Sequence, residues 1–187
     1  VKVEPGVDET RGGEHVRVQD VVAGQHARLE PSRDAHDAAV PIRTGEVALV
    51  HNAIIENYGA LTQNLKRKGY VFKSQTDTEV LVHLIDDVRK STGLPLPEAV
   101  RQALTQVVGT YGIAVVTRDE SDLLIAARKG SPLILGVGDG EYFLGSDAAP
   151  LIEHTRQVVY LNDGEIVTIH RDGFEVRTID NEVLDKE

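Results

Sequence analysis

Two short stretches combine residue types and positions that chemistry could use. His51-Asn52-Ala53 follows the apolar run Val47-Ala48-Leu49-Val50. A chain leaving a sheet in this way offers a side-chain amide and backbone N–H groups, the donors suited to a developing oxyanion. Asn is also an ordinary residue of a post-strand turn, so the pattern alone fits either reading. Asp77 lies in Thr76-Asp77-Thr78-Glu79, at the first turn of a predicted helix. Its carboxylate there could hold a ligand ammonium or complement the positive helix end, and spacing alone favours the second.

Other stretches offer less. Lys129-Gly130-Ser131-Pro132 and Gly136-Val137-Gly138-Asp139-Gly140 are glycine-rich but lead into strand-like runs, so they lack the helix start that a phosphate loop needs and read as turns. His15, His26 and His36 are ten or eleven residues apart, which is not the spacing of a metal site. The chain contains no cysteine; disulfides, thiolate metal sites and a cysteine nucleophile within it are therefore excluded. It contains no methionine either, so it starts at a rare codon written as Val1 or is a piece of something longer.

The elements that must position these residues can be read from the apolar pattern. A chain of 187 residues suits one domain with a substantial core. Twenty basic against thirty acidic residues give a net charge of −10 without blocks of one sign, which argues against nucleic acid or an anionic membrane as the main partner. No apolar run is long enough for a membrane span and no signal-peptide order opens the chain, so the reading is cytoplasmic. Residues 1–44 are poorly patterned and suggest loop, short strands or disorder. From Gly45 the pattern is regular. A strand over Val47–Val50 is followed by a helix carrying Tyr58, Leu61 and Leu65 and closed by Gly69, then a strand at Tyr70-Val71-Phe72. Thr76 to Glu79 form a capping box for a helix burying Val80, Leu81, Leu84, Ile85 and Val88. A third helix starts near Pro97 and carries Ala99, Val100, Leu104, Val107 and Val108 inward, with Gly109 closing it. Seven strand-like runs then extend to Arg177, separated by turn signals that favour antiparallel hairpins, with one short helix around Ala148 to His154. Helices grouped ahead of strands give an α+β, layered architecture.

The combined motifs resemble a known family. His51-Asn52-Ala53-Ile54-Ile55-Glu56-Asn57-Tyr58, Gly69-Tyr70, Thr76-Asp77-Thr78-Glu79-Val80, Gly112-Ile113-Ala114, Ala127-Arg128-Lys129-Gly130-Ser131-Pro132-Leu133 and Ser146-Asp147 are similar to the glutaminase domain of glutamine-fructose-6-phosphate aminotransferases, a class II glutamine amidotransferase. The resemblance implies a four-layer αββα N-terminal nucleophile fold, here incomplete at the amino terminus, with the amidotransferase domain over residues 45–180, a divergent segment over 1–44 and a tail over 181–187. It also implies glutamine as ligand; no cofactor is expected, and no metal, as the histidine spacing and the lack of cysteine already suggest. Ammonia would be released by an amino-terminal cysteine acting with its own α-amine and would pass to a sugar-isomerase domain or chain; a homodimer stays open. By resemblance Asn52 supplies a side-chain donor and Ala53 a backbone amide to the oxyanion hole, and Asp77 binds the glutamine α-ammonium. Arg28, in the echo Gly24-Gln25-His26-Ala27-Arg28-Leu29, would bind its carboxylate. Two departures stand out: the nucleophile is missing, which predicts an inactive chain, and Ala53 replaces a family glycine, which predicts strain if φ there is positive. The alternative is a non-catalytic glutamine-binding or interaction module of the same fold.

Overall fold

The computed structural model describes residues 42–120 and 122–186 and, ahead of them, the backbone of three strands. These are β1 (Lys2–Asp8), β2 (Gly13–Val22) and β3 (Gln25–Ala27). They are followed by β4 (Ile42–Thr44), β5 (Val47–Asn52), α1 (Tyr58–Arg67), α2 (Asp77–Thr92) and α3 (Leu96–Leu104). An antiparallel series completes the fold: β6 (Tyr111–Thr117), β7 (Leu124–Lys129), β8 (Ile134–Val137), β9 (Tyr142–Gly145), β10 (Gln157–Tyr160), β11 (Glu165–His170), β12 (Gly173–Thr178) and β13 (Val183–Leu184). No helix among the described residues is long and apolar enough to cross a membrane.

Two sheets result. One has seven strands in the order β13-β12-β11-β7-β6-β5-β4, the other six in the order β10-β8-β9-β1-β2-β3. The period-two alternation of the strands sorts their side chains between two cores. Ile113 and Val115 of β6 and Ile125 and Ala127 of β7 face the helices, where they meet Leu65, Leu81, Leu84, Ile85, Leu96 and Val100. Ala114, Leu124 and Ala126 point the other way and pack with Leu135, Leu144, Val159 and Val167 between the sheets. Each fully buried Leu or Ile here contributes roughly 1.5–3 kcal/mol. The outer face of the six-stranded sheet is covered at Phe143 and Ile134 by Leu151.

The local reading of the sequence fails in four places, each for a tertiary reason. Tyr70-Val71-Phe72 is not a strand; the segment lies over α2, with the Tyr70 and Phe72 rings 5.1 and 4.7 Å from that of His83. The third helix stops at Leu104, so Val108 is exposed rather than buried. Residues 148–155 form successive turns, not a helix. In the amino-terminal stretch β2 runs for ten residues, longer than the short strands expected; its sequence alternates in Val16-Arg17-Val18-Gln19, a period-two signal too brief to stand out among polar residues. At the other end, Val183 and Leu184 pair with β12, and Lys186 donates to the Tyr160 carbonyl (2.9 Å) and pairs with the buried Glu165.

Candidate functional site

The ends of β5 and α2 meet at one edge of the seven-stranded sheet. β5 pairs with β6 as far as Asn52 opposite Gly112, and the chain then turns sharply. Thr76 caps α2 by accepting the Glu79 N–H through its hydroxyl at 3.4 Å. The other half of the expected capping box is redirected: the Glu79 carboxylate accepts the N–H groups of Lys73 (2.7 Å) and Ser74 (2.6 Å). Burial alone would raise the pKa of Glu79, but these bonds and the Ser74 hydroxyl outweigh it and hold the pKa below the usual value. The start of α2 is thereby tied to the segment that leads into it.

Asp77, the first residue of α2, reaches the turn after β5. Its Oδ2 accepts the Ile55 N–H at 2.9 Å, and its Oδ1 lies 3.7 Å from Nδ1 of His51. The His51 ring is buried, with Nδ1 also 3.3 Å from the Thr78 hydroxyl. Burial lowers the pKa of this histidine against the opposing pull of Asp77. Burial thus favours the neutral form of the ring. The Asp77 side chain keeps 24% of its surface exposed, so a cation can reach it from solvent.

The turn itself is strained. Ala53 has φ +123°, one of two non-glycine residues with positive φ among the described residues, and such a conformation costs an L-residue about 1–3 kcal/mol. Several hydrogen bonds offset that cost. Besides the bond to Asp77, the Glu56 N–H donates to the Val108 carbonyl (2.8 Å) and the Thr110 N–H to the Ile54 carbonyl (3.0 Å). Asn57 Nδ2 donates to the Gln106 carbonyl (2.8 Å), and its Oδ1 accepts the Val108 N–H (3.0 Å). Each such bond contributes about 0.5–1.5 kcal/mol net. Gly109, at φ +128°, lies against the turn so closely that a Cβ there would fall 2.3 Å from the Ile54 carbonyl oxygen.

Of the residues singled out from the sequence, Asn52, Ala53 and Asp77 thus occupy one edge of the fold, around the exposed end of β5. Arg28 lies outside the described residues. The sequence reading gives no role of their own to His51, Asn57 and Gly109. A polar residue closing an apolar strand marked His51, whereas the partners of Asn57 and Gly109 are distant in sequence.

Residues 26–153 match the family described as "Glutamine amidotransferase domain". The chain belongs to that family. Among curated relatives, the amidotransferase domain is 58% identical over 139 residues to the glutamine–fructose-6-phosphate aminotransferase (isomerizing) of Chlorobaculum tepidum, covering 74% of this chain and 23% of the relative. It is 40% identical over 182 residues to the enzyme of the same name from Thermococcus kodakarensis, covering 97% of this chain and 28% of the relative. That second alignment reaches well into the first 44 residues, farther than the motif resemblance. The chain spans about a quarter of the length of these relatives. Among solved structures, glutamine phosphoribosylpyrophosphate amidotransferase from B. subtilis superposes with a TM-score of 0.65 at 24% identity, over 76% of this chain and 31% of that one. A structure titled as the allosteric regulatory enzyme of purine biosynthesis gives the same score and coverage at 25% identity. The amidotransferase domain therefore has the α+β N-terminal nucleophile fold.

Proposed function

We propose that this amidotransferase domain retains a glutamine-binding cradle derived from a glutamine–fructose-6-phosphate aminotransferase and does not itself release ammonia. One observation carries the reading: the Asp77 carboxylate, part-exposed to solvent, reaches the turn that follows Asn52 and Ala53 and accepts the Ile55 N–H at 2.9 Å. In this reading Asp77 Oδ1 holds the glutamine α-ammonium, while the Asn52 amide and the Ala53 N–H face the side-chain carbonyl as oxyanion donors. Arg28 is assigned to the ligand carboxylate. Hydrolysis needs a nucleophile that attacks the amide carbon and a base that takes its proton. The chain has no cysteine to serve as that nucleophile. The domain division at residues 45 and 180, and a role beside a sugar-isomerase domain or chain in making glucosamine 6-phosphate, belong to the same proposal.

The missing nucleophile and the alanine at a positive φ also favour a second reading, a non-catalytic glutamine-binding or interaction module. Calorimetry with glutamine tests the first. The parent chain is expected to bind weakly, and Asp77→Asn to bind at least tenfold more weakly, because a charge-assisted hydrogen bond of about 1.5–3 kcal/mol is lost while the amide oxygen still accepts the Ile55 N–H. Equal binding by the two proteins makes Asp77 a structural residue and favours the interaction module.

A further inference from the structure

Asn57 stands at the N-cap of α1, where an asparagine side chain ordinarily accepts an N–H of its own helix. It makes no such bond. Its amide reaches across instead to a segment some fifty residues away in sequence, donating to the Gln106 carbonyl at 2.8 Å and accepting the Val108 N–H at 3.0 Å. The same segment is tied to the turn by Glu56 N–H to the Val108 carbonyl and Thr110 N–H to the Ile54 carbonyl, and Ile55 and Gly109 form a bridge. Gly109 admits this approach because it has no Cβ; one would meet Glu56 N at 2.9 Å as well as the Ile54 oxygen. The turn is thus fixed at its far end by Asn57 and in its middle by Asp77. Between these anchors and β5 lies Ala53, the residue at φ +123°.

We infer that Asn57 is a positioning residue that holds the Ala53 backbone in its positive-φ conformation. The inference rests on the reading of Ala53 as an oxyanion donor, whose backbone orientation is set by that φ. A residue in a sparsely populated conformation persists only where its surroundings over-determine it. The side-chain amide of Asn57 makes the two bonds that a change of side chain removes without touching the backbone ladder. Because Asn57 makes no capping bond to α1, replacing it leaves that helix its own hydrogen bonds.

The test is NMR on the full chain, comparing the parent with Asn57→Ala and Asn57→Asp. Asn57→Asp keeps the acceptor for the Val108 N–H, loses the donor to Gln106, and provides a folded comparison should the alanine variant not fold. The three-bond HN–Hα coupling and Cβ shift of Ala53 report φ directly. In both variants they are expected to move from a fixed positive-φ signature towards an average over negative φ, more so with alanine, while amide exchange in Leu124–Lys129 is unchanged. Glutamine affinity should weaken roughly threefold or more with the loss of orientation. An unchanged Ala53 signature overturns the inference, as does a changed signature with unchanged glutamine affinity. A changed signature in a chain whose parent binds no glutamine upholds the positioning of Ala53 and overturns the glutamine reading.

Discussion

The seven-stranded and six-stranded sheets use the same antiparallel pairing, yet they stand in different relations to the site. In the first, β5 and β6 are in register from Val47 opposite Thr117 to Asn52 opposite Gly112, and the turn beyond is held by α2 and residues 106–110. In the second, the amino-terminal hairpin joins β9 through Lys2 opposite Phe143 and Val3 opposite Tyr142 among the described residues. The ammonium and oxyanion partners of the proposed cradle lie on the first sheet and its helices. The nucleophile expected by resemblance would stand at the amino terminus, beside the second. In the proposed reading, holding glutamine and breaking its amide are tasks of separate parts of the fold, and this chain supplies residues for the first.

The largest expected effect sharpens that division. Glutamate release by the purified chain should lie on the order of 10⁴-fold or more below that of a cysteine-bearing relative, since losing a covalent nucleophile removes most of the acceleration. Release that survives further purification would place chemistry in this chain after all. Gly109→Ala attacks the binding side: a Cβ 2.3 Å from the Ile54 oxygen at φ +128° should cost about 3 kcal/mol or more in urea unfolding. A loss below about 1 kcal/mol would show that the brace yields.

Glu79 gives a pH-dependent test of the same side. Its folded pKa is lowered, so its contribution is fully present above the unfolded value of about 4.3 and is lost as pH falls through the folded one. Glu79→Gln should therefore be less stable than the parent at pH 7 by about 1–3 kcal/mol, with the gap closing below about pH 4. A gap independent of pH would mean that shape, not charge, holds the start of α2. The smallest effect is expected of Ala53→Gly. Relief of the positive-φ strain exceeds the added entropy of the unfolded chain, for a net gain of about 1 kcal/mol in thermal unfolding. A loss of stability would mean that alanine is relaxed at that position.

The sequence makes legible what local chemistry decides. The Thr76 cap, the buried stripe of α2 and the strand runs from Tyr111 to Thr178 follow from periodicity and turn residues, and they place Asp77 at a helix start and Asn52 at a strand end. That Asp77 reaches Ile55, or that Glu79 bonds to Lys73 and Ser74 rather than to its cap, depends on how two chain segments approach each other. Asn57 is the clearest case: as a helix N-cap it reads locally, but its partners at Gln106 and Val108 exist only in the folded sheet. Tyr70 and Phe72 have strand-forming side chains, yet they pack on the His83 ring, and no strand among the described residues pairs with them. The first 44 residues gave little because their alternation is short and mixed with charge.

The proposed cradle is tested most directly by titrating glutamine into the isotope-labelled chain and following its amide resonances. The largest shifts are expected at Ala53, Ile55, Asp77 and Thr78, with the response of these amides lost in Asp77→Asn. No response at saturating glutamine, or shifts elsewhere that survive Asp77→Asn, would contradict it.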